Sequence, residues 1–381
     1  MPVTAAEIAQ LIEGYAPLDL AATGDNVGLQ VGDPQVETDC ILVTTDVTPP
    51  VLVEAREAGA GLIISHHPLI ATSLAAVRED DPVGRMAGDL IRAGMSLYVA
   101  HTNLDKAPVI GTALALAQAL GIGDTAPLIP EPGRQVKLVV FTPEDHADAI
   151  REALAQAGAG VIGDYTHCSF AAPGTGSFLG GETTAPAVGQ PGRLEKVAEL
   201  RLEMICPRHR LAAAIRALLA AHPYEEPAFD IIPLESTERS VGLGAIGTLP
   251  EPQPLGQLAD HVQRVLEGPL VRVSGPQDAV VQRVAVFPGS TGAAFPAVLH
   301  SDVDVLVGGE VKHHAALAGL THPGRERPLC TIQAGHHATE RPVVGRIVAY
   351  LREKLGKRAR FLASSADVGP FAGPRPAGSG R

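Results

Sequence analysis

Two adjacent histidines, His66 and His67, end an apolar run in the stretch IISHHPLI. Neighbouring residues of a strand face opposite sides, so both rings can reach one cavity only where the strand frays, before Pro68. One metal ion cannot easily use both rings, whereas two nearby ions can each take one. The pair therefore indicates a dinuclear metal site, although an isolated strand-end pair of this kind is also typical of a turn or a polar surface.

Two further stretches carry metal-ligand side chains. Asp105 ends HTNLD, and His336 and Glu340 lie four residues apart in GHHATE, which lets them flank one site at the start of a helix. Each has an ordinary alternative, because Asn and Asp are common in turns and an H-x-x-x-E spacing arises by chance on helices. Together, at the predicted strand ends of one sheet, the three stretches predict a site for zinc, iron or manganese.

Glu340 is the predicted bridging carboxylate between the two ions. A carboxylate shared by two cations would stabilise both and set their separation. Without metal, we expect Glu340 to lie among acidic neighbours such as Asp105, so that its removal relieves repulsion.

Five other residues could support the metal site or contact a substrate: Asp46, His101, Glu310, Lys312 and His313. Asp46 could equally cap the next helix, and His101 could be a partly buried strand histidine. Lys312 and His313 could bind a substrate phosphate or simply begin a solvated helix, as could His314. His337 is expected to be only a neighbour of a ligand.

The stretch GTGSFLGG (residues 174–181) has the glycines of a phosphate loop. No Lys-Ser or Lys-Thr pair follows it, so it is not a Walker motif. We expect a mobile loop here.

Apolar strands alternate with helical patterns in the first and last thirds of the chain, which favours a parallel sheet with crossover helices. The strands that end in polar or metal-binding residues are CILVTTD, GLIISHH and SLYVAHTNLD in the first third, and QRVAVFPGSTG, VDVLVGGE and LCTIQAGHH in the last third.

A different order of elements, close to β-α-β-β-α-β, is predicted between two Pro- and Gly-rich stretches. The domains are therefore expected to be residues 1–129 and 237–381, which together form one α/β domain with helices on both faces of its sheet, and residues 130–236, an inserted ferredoxin-like α+β domain. The stretch after Phe371 is expected to be a flexible tail.

The composition limits the class of protein. The net charge of -12 argues against general binding to nucleic acids or anionic lipid. The 4 cysteines lie far apart and form no C-x-x-C pair, which indicates a reducing compartment. No signal peptide and no apolar run of about 18 residues is evident, so we expect a cytoplasmic protein without a membrane span.

Five motifs, in this order, resemble those of the Nif-three-like proteins, also called GTP cyclohydrolase I type 2 homologues. They are DNVGLQVG, SHHPL, HTNLD, GGEVKHH and GHHATE. The middle segment, with PGTGSF and HPYEEPAFDI, is similar to the CutA/PII-like insert of the longer bacterial members.

The resemblance implies two divalent metal ions per subunit, held by His66, His67, Asp105, His336 and Glu340. It also implies a toroidal homohexamer with the metal sites facing an internal cavity and with trimer-type contacts added by the insert. Two metal ions can acidify a bridging water, so metal-dependent hydrolysis of a nucleotide is the leading reaction. The alternative is a metal-binding scaffold or regulatory protein without turnover.

Overall fold

The computed structural model describes residues 2–131, 135–184, 186–235, 241–267, 271–367 and 369–371. The chain forms two compact units, the first made of Met1–Pro130 with Arg239–Arg381 and the second of Glu131–Glu238. The predicted flexible tail, residues 372–381, and the predicted downstream domain boundary, at residues 236–237, lie outside the described residues.

The first unit begins with eight strands and five helices. The strands are β1 (Val3–Thr4), β2 (Gly28–Val31), β3 (Glu37–Thr38), β4 (Cys40–Thr44), β5 (Leu62–Ser65), β6 (Ser96–Val99), β7 (Gly123–Ala126) and β8 (Ile129–Pro130). The helices are α1 (Ala5–Tyr15), α2 (Pro49–Ala58), α3 (Pro82–Arg92), α4 (Thr102–Asp105) and α5 (Thr112–Ala119). HTNLD, predicted to continue a strand, is thus mostly a single helical turn after β6.

The second unit has the predicted β-α-β-β-α-β order. Its elements are β9 (Gln135–Thr142), α6 (Ala147–Gln156), β10 (Ser169–Leu179), β11 (Leu194–Pro207), α7 (Leu211–Ala221) and β12 (Phe229–Leu234). The strands form one antiparallel sheet in the order β10-β11-β9-β12. Leu138, Val140 and Leu202 pack on one face of this sheet with Ile150 of α6 and Leu218 of α7.

The expectation of a mobile loop at residues 174–181 is wrong for most of that stretch. Residues 174–179 belong to β10, which pairs with β11 from Ser169↔Met204 to Leu179↔Leu194. Glycine content predicts a loop because it weakens a strand locally. Here the long register with β11 supplies backbone hydrogen bonds along the whole of β10, and these outweigh the local preference.

The first unit continues with the remaining strands and helices. The strands are β13 (Gly242–Leu243), β14 (Ala245–Pro254), β15 (Arg272–Ser274), β16 (Val280–Ser290), β17 (Val305–Glu310), β18 (Cys330–Gln333) and β19 (Arg360–Ala363). The helices are α8 (Leu255–Leu266), α9 (Phe295–Leu299), α10 (His313–Thr321), α11 (His336–Glu340) and α12 (Pro342–Leu355).

The three stretches with metal-ligand side chains follow strands of two sheets, so the expectation of a single sheet is wrong. A five-stranded sheet has the order β19-β4-β5-β6-β2, and a six-stranded sheet has the order β15-β18-β17-β16-β14-β7. Both are mixed: β4-β5-β6 and β16-β17-β18 run parallel, whereas β2, β14 and β15 pair antiparallel. Parallel strands buried on both faces have the same apolar composition in either sheet, so sequence alone does not say which strands pair.

Helices cover both faces of each sheet. In the five-stranded sheet, Ile41 and Ile64 pack with α1 and α12, and Leu42 and Ile63 pack with α2 and α3 on the opposite face. In the six-stranded sheet, the side chains of β16 and β17 alternate between a core with α5 and α8 and a core with α9 and α10. The alternation follows from the two-residue period of a strand. No helix in the described part of the chain combines the length and the apolar character that a membrane crossing requires.

Two contacts bear on the stability of the first unit. Pro130 of β8 pairs with Gly242 of β13, so the chain leaves and re-enters this unit at adjacent points. Glu54 of α2 accepts hydrogen bonds from the backbone and side chains of residues 364–366, just after β19. Burial by itself would raise the pKa of Glu54, but these hydrogen bonds lower it.

Candidate metal centre

The ring of His66 is fixed by a backbone carbonyl. Its Nδ1 donates a hydrogen bond to Ala100 O at 2.9 Å, and the side chain is buried. A carbonyl can only accept, so the proton of the neutral ring lies on Nδ1 and the lone pair lies on Nε2. This Nε2 is buried and has no hydrogen-bond partner. It lies 3.7 Å from Asp105 Oδ1 and 3.9 Å from Glu340 Oε1.

His67 reaches the same place from a different direction. The two rings are 4.9 Å apart between centroids and tilted by 49°. His67 Nδ1 lies 3.0 Å from Asp46 Oδ1, and its Nε2 lies 3.2 Å from Glu340 Oε2. Asp46 therefore orients His67, as a supporting carboxylate does in many metal sites.

The third stretch begins α11 directly after β18. Gly335 has a φ of 91°, a backbone conformation that residues with a side chain rarely adopt. The turn at Gly335 brings His336 to the end of the six-stranded sheet. His336 Nε2 lies 3.1 Å from Glu340 Oε1, and its Nδ1 lies 3.3 Å from Glu310 Oε1. One turn of helix thus places a ring and a carboxylate on the same side.

HTNLD contributes two side chains. Asp105 accepts a hydrogen bond from Thr112 Oγ1 at 2.5 Å, which leaves its carboxylate beside His66. The ring of His101 lies 5.2 Å from that of His66 and 5.5 Å from that of His67. His101 was expected to support the site or to be a plain strand histidine. The structure places its ring in the same group of potential ligands as His66 and His67.

Glu340 is surrounded by imidazoles. Its burial would raise its pKa, but His336 and His67 contact its carboxylate and hold the pKa well below the usual range. Burial likewise lowers the pKa of His67, yet Asp46 and Glu340 raise it to about 10. The expectation that acidic neighbours repel Glu340 in the metal-free protein is therefore wrong, because the side chains that contact this carboxylate are imidazoles, which favour its charged form.

The residues fit a bound cation. Glu340 Oε2 is buried and receives no hydrogen bond in a suitable direction, even from His67 Nε2. Buried polar atoms rarely lack a hydrogen-bond partner. Here two such atoms, Glu340 Oε2 and His66 Nε2, belong to side chains that lie next to each other. A metal ion would satisfy both atoms. Nitrogen and carboxylate oxygen together suit zinc, iron or manganese.

Other candidates have smaller roles. Among the described residues, Lys312 and His313 form no hydrogen bond or ion pair with the five candidate ligands. His313 and His314 make an edge-to-face contact at the start of α10, with ring centroids 5.3 Å apart. His337 points to Asp367, with 3.2 Å between Nε2 and Oδ1, and these two form a further group of potential ligands with Asp46, which also contacts His67.

The structure adds residues that sequence reasoning did not assign. A Cβ on Gly289, at the end of β16, would clash with Glu340 Oε1 and would lie 3.2 Å from His336 Nε2. Gly289 N also donates to Thr339 Oγ1 at 3.1 Å. Asp25, part of DNVGLQVG, binds His101 through both carboxylate oxygens. The motif was recognised, but no spacing rule in the sequence connects residue 25 with residue 101.

The fold and this group of side chains define a mixed α/β protein with a candidate site for metal ions at the ends of two sheets. Residues 3–368 match the family Duf34/NIF3 (NGG1p interacting factor 3), and the chain belongs to this family. It is similar to a crystal structure of a Bacillus cereus protein related to NIF3, with a TM-score of 0.77 and 36% identity over 97% of this chain and 99% of that one.

Named relatives support the same family assignment. The chain is 38% identical over 360 residues to a Mycobacterium tuberculosis protein named GTP cyclohydrolase 1 type 2 homolog, with 93% of both chains covered. It is also 38% identical over 375 residues to the Bacillus subtilis protein of that name, with 97% of this chain and 98% of the relative covered. The family predicted from the five motifs is thereby confirmed.

Proposed function

We propose that the protein binds two divalent metal ions and uses them to hydrolyse a nucleotide. The ligands are His66, His67, Asp105, His336 and Glu340. The observation that carries this proposal is that two buried atoms, His66 Nε2 and Glu340 Oε2, receive no hydrogen bond although both face one group of imidazoles. Zinc, iron and manganese are the metals that suit the donors.

The arrangement of Glu340 supports two ions rather than one. Its two oxygens contact different rings, Oε1 that of His336 and Oε2 that of His67. A carboxylate whose two oxygens face different rings can be shared between two cations. When bound, two metals supply an acidified water and hold a substrate oxygen.

The protein's own residues orient these donors. Asp46 accepts from His67 Nδ1, and Glu310 lies 3.3 Å from His336 Nδ1, so the Nε2 atoms of both rings face Glu340. Ala100 O does the same for His66, and Thr112 fixes Asp105 by a hydrogen bond. Rings held in this way lose little freedom when an ion binds.

The proposal of a nucleotide substrate is based on the name of the relatives. Their name, GTP cyclohydrolase 1 type 2 homolog, names a likeness to an enzyme that acts on GTP. Applied to this protein, the name implies a reaction that opens the imidazole ring of guanine and releases a one-carbon unit. Another nucleotide or phosphoester could meet the same metals.

We further propose that the protein is cytoplasmic and assembles as a toroidal homohexamer, in which the second unit is a CutA/PII-like domain that adds trimer-type contacts. The open face of the second unit's sheet supports this role. Phe170 and Ile232 are exposed there beside the ion pair of Lys137 and Glu203. Sedimentation of the full chain tests the assembly.

The function is tested by anaerobic purification, metal analysis and a nucleotide turnover screen. We expect two ions per chain and hydrolysis that is lost in His66→Gln. The matched control is His167→Gln, which removes an imidazole of the second unit that pairs with Glu152. Two bound ions with no turnover of any nucleotide would favour the alternative, a metal-binding scaffold or regulatory protein.

A further inference from the structure

His101 has the same arrangement as the histidines of the proposed ligand set. In those three rings Nδ1 faces an oxygen acceptor: Ala100 O for His66, Asp46 for His67 and Glu310 for His336. His101 Nδ1 likewise faces an acceptor, since it lies 3.0 Å from each carboxylate oxygen of Asp25. The proton on Nδ1 leaves the Nε2 lone pair of His101 available for a cation.

The ring of His101 also lies where a ligand must lie. It makes edge contacts with the rings of His66 and His67, with centroids 5.2 Å and 5.5 Å away. One ligand atom from each of these three histidines falls within 4.8 Å of the others, which is close enough for a common ion. The ring is half-buried, so it is not simply a surface side chain.

Asp25 is built to hold His101 in this position. Its carboxylate accepts from Thr102 N at 3.1 Å and from Thr102 Oγ1 at 2.5 Å, in addition to the ring. Asp25 is therefore tied both to the ring of His101 and to the residue that follows it.

We infer that His101 is a ligand of the metal centre and that Asp25 is its positioning residue. This inference rests on the proposed metal centre, and it gives that centre four imidazoles and two carboxylates instead of three imidazoles and two carboxylates. It also assigns a role to DNVGLQVG, because the first residue of that stretch holds the sixth donor.

The inference can be tested on the intact protein loaded with Co²⁺. Paramagnetic Co²⁺ shifts the exchangeable Nδ1 proton of each imidazole that binds it through Nε2. We expect four such proton resonances in the wild type and three in His101→Gln. If the wild type shows three shifted resonances and His101→Gln shows the same three, the inference is overturned and the five-ligand centre remains intact. No shifted resonance at all would overturn the metal centre itself.

Affinity for Zn²⁺, measured against a chelator, gives a second readout. Loss of a residue that only supports a ligand typically weakens metal binding by about 10- to 100-fold, so we expect that range for Asp25→Asn and at least about 100-fold for one ion in His101→Gln. His167→Gln should match the wild type. Melting of the metal-free variants checks folding, and if His101→Gln does not fold, Asp25→Asn decides. Wild-type Zn²⁺ affinity in folded Asp25→Asn, together with an unmoved fourth resonance, would contradict the positioning role.

Discussion

The substitution Glu340→Gln separates the metal-binding role of this carboxylate from its role in the fold. The amide keeps the shape of the side chain but loses the charge between His67 and His336. Removing one member of a buried charged group typically costs about 3–5 kcal/mol, because the remaining charge is left uncompensated. We therefore expect one of the two ions to bind more weakly by about 100- to 4,000-fold.

The metal-free protein should change much less. His67 keeps its contact with Asp46 in this variant, so its charge remains paired. The loss is then that of the contacts of His67 and His336 with the charged carboxylate, about 1–3 kcal/mol of unfolding free energy. The sign is destabilising, because the neighbours of Glu340 are imidazoles and not acids.

The assay compares Zn²⁺ affinity by chelator competition with the denaturant midpoint of the metal-free protein. Glu203→Gln is the matched control, since Glu203 pairs with Lys137 and Arg201 in the second unit. It should leave both Zn²⁺ affinities unchanged. Two ions bound with wild-type affinity in Glu340→Gln would refute the reasoning, and so would a metal-free variant that is unfolded.

Three other perturbations test the surrounding structure. Glu54→Gln should cost about 1 kcal/mol at pH 7. Since the folded pKa of Glu54 is lowered, this difference in denaturation midpoint should shrink as the pH falls below about 4 and vanish once the pH lies below the folded pKa. A difference that stays constant as the pH falls would contradict the assignment. Gly289→Ala should lose about 1–2 kcal/mol of unfolding free energy and most of its Zn²⁺ affinity, because residue 289 has a φ of 64° and its Cβ would clash with Glu340. The control Gly14→Ala, in a helix with free space around the added methyl group, should lose neither. Replacing residues 131–241 by a short turn should leave a folded protein that binds two ions, since the flanking strands pair, and a folded but metal-free product would contradict this division of roles.

Much of the local structure follows from the sequence. The apolar run before His66 and His67 predicts a buried strand, and β5 is that strand. The four-residue spacing of His336 and Glu340 predicts one helical face, and α11 brings their side chains to 3.1 Å. These features depend on short-range periodicity, which a single sequence records directly.

The pairing of distant elements was not predictable in the same way. The six-stranded sheet is separate from the five-stranded sheet, yet its parallel strands have the same apolar composition. The contact of Asp25 with His101 spans 76 residues, and that of Glu340 with His67 joins two sheets. Contacts of this kind depend on how whole elements pack, which no local pattern specifies.

Glycines show the same dependence on distant residues, both where a glycine pattern led to a wrong prediction and where a glycine gave no prediction. The glycines at 174 and 176 suggested a loop but lie in β10, where the partner strand determines the conformation. Gly289 gave no signal, although its lack of a side chain leaves room for Glu340. In both cases the meaning of the glycine comes from a residue distant in sequence.

The most direct test of the central claim is anomalous diffraction from crystals of the full chain grown with Zn²⁺, measured on both sides of the zinc absorption edge. We expect two anomalous peaks per chain, about 3.5–4 Å apart, within bonding distance of His66, His67, Asp105, His336 and Glu340. A single peak, or peaks that lie away from these side chains while the protein is folded and saturated with zinc, would contradict it.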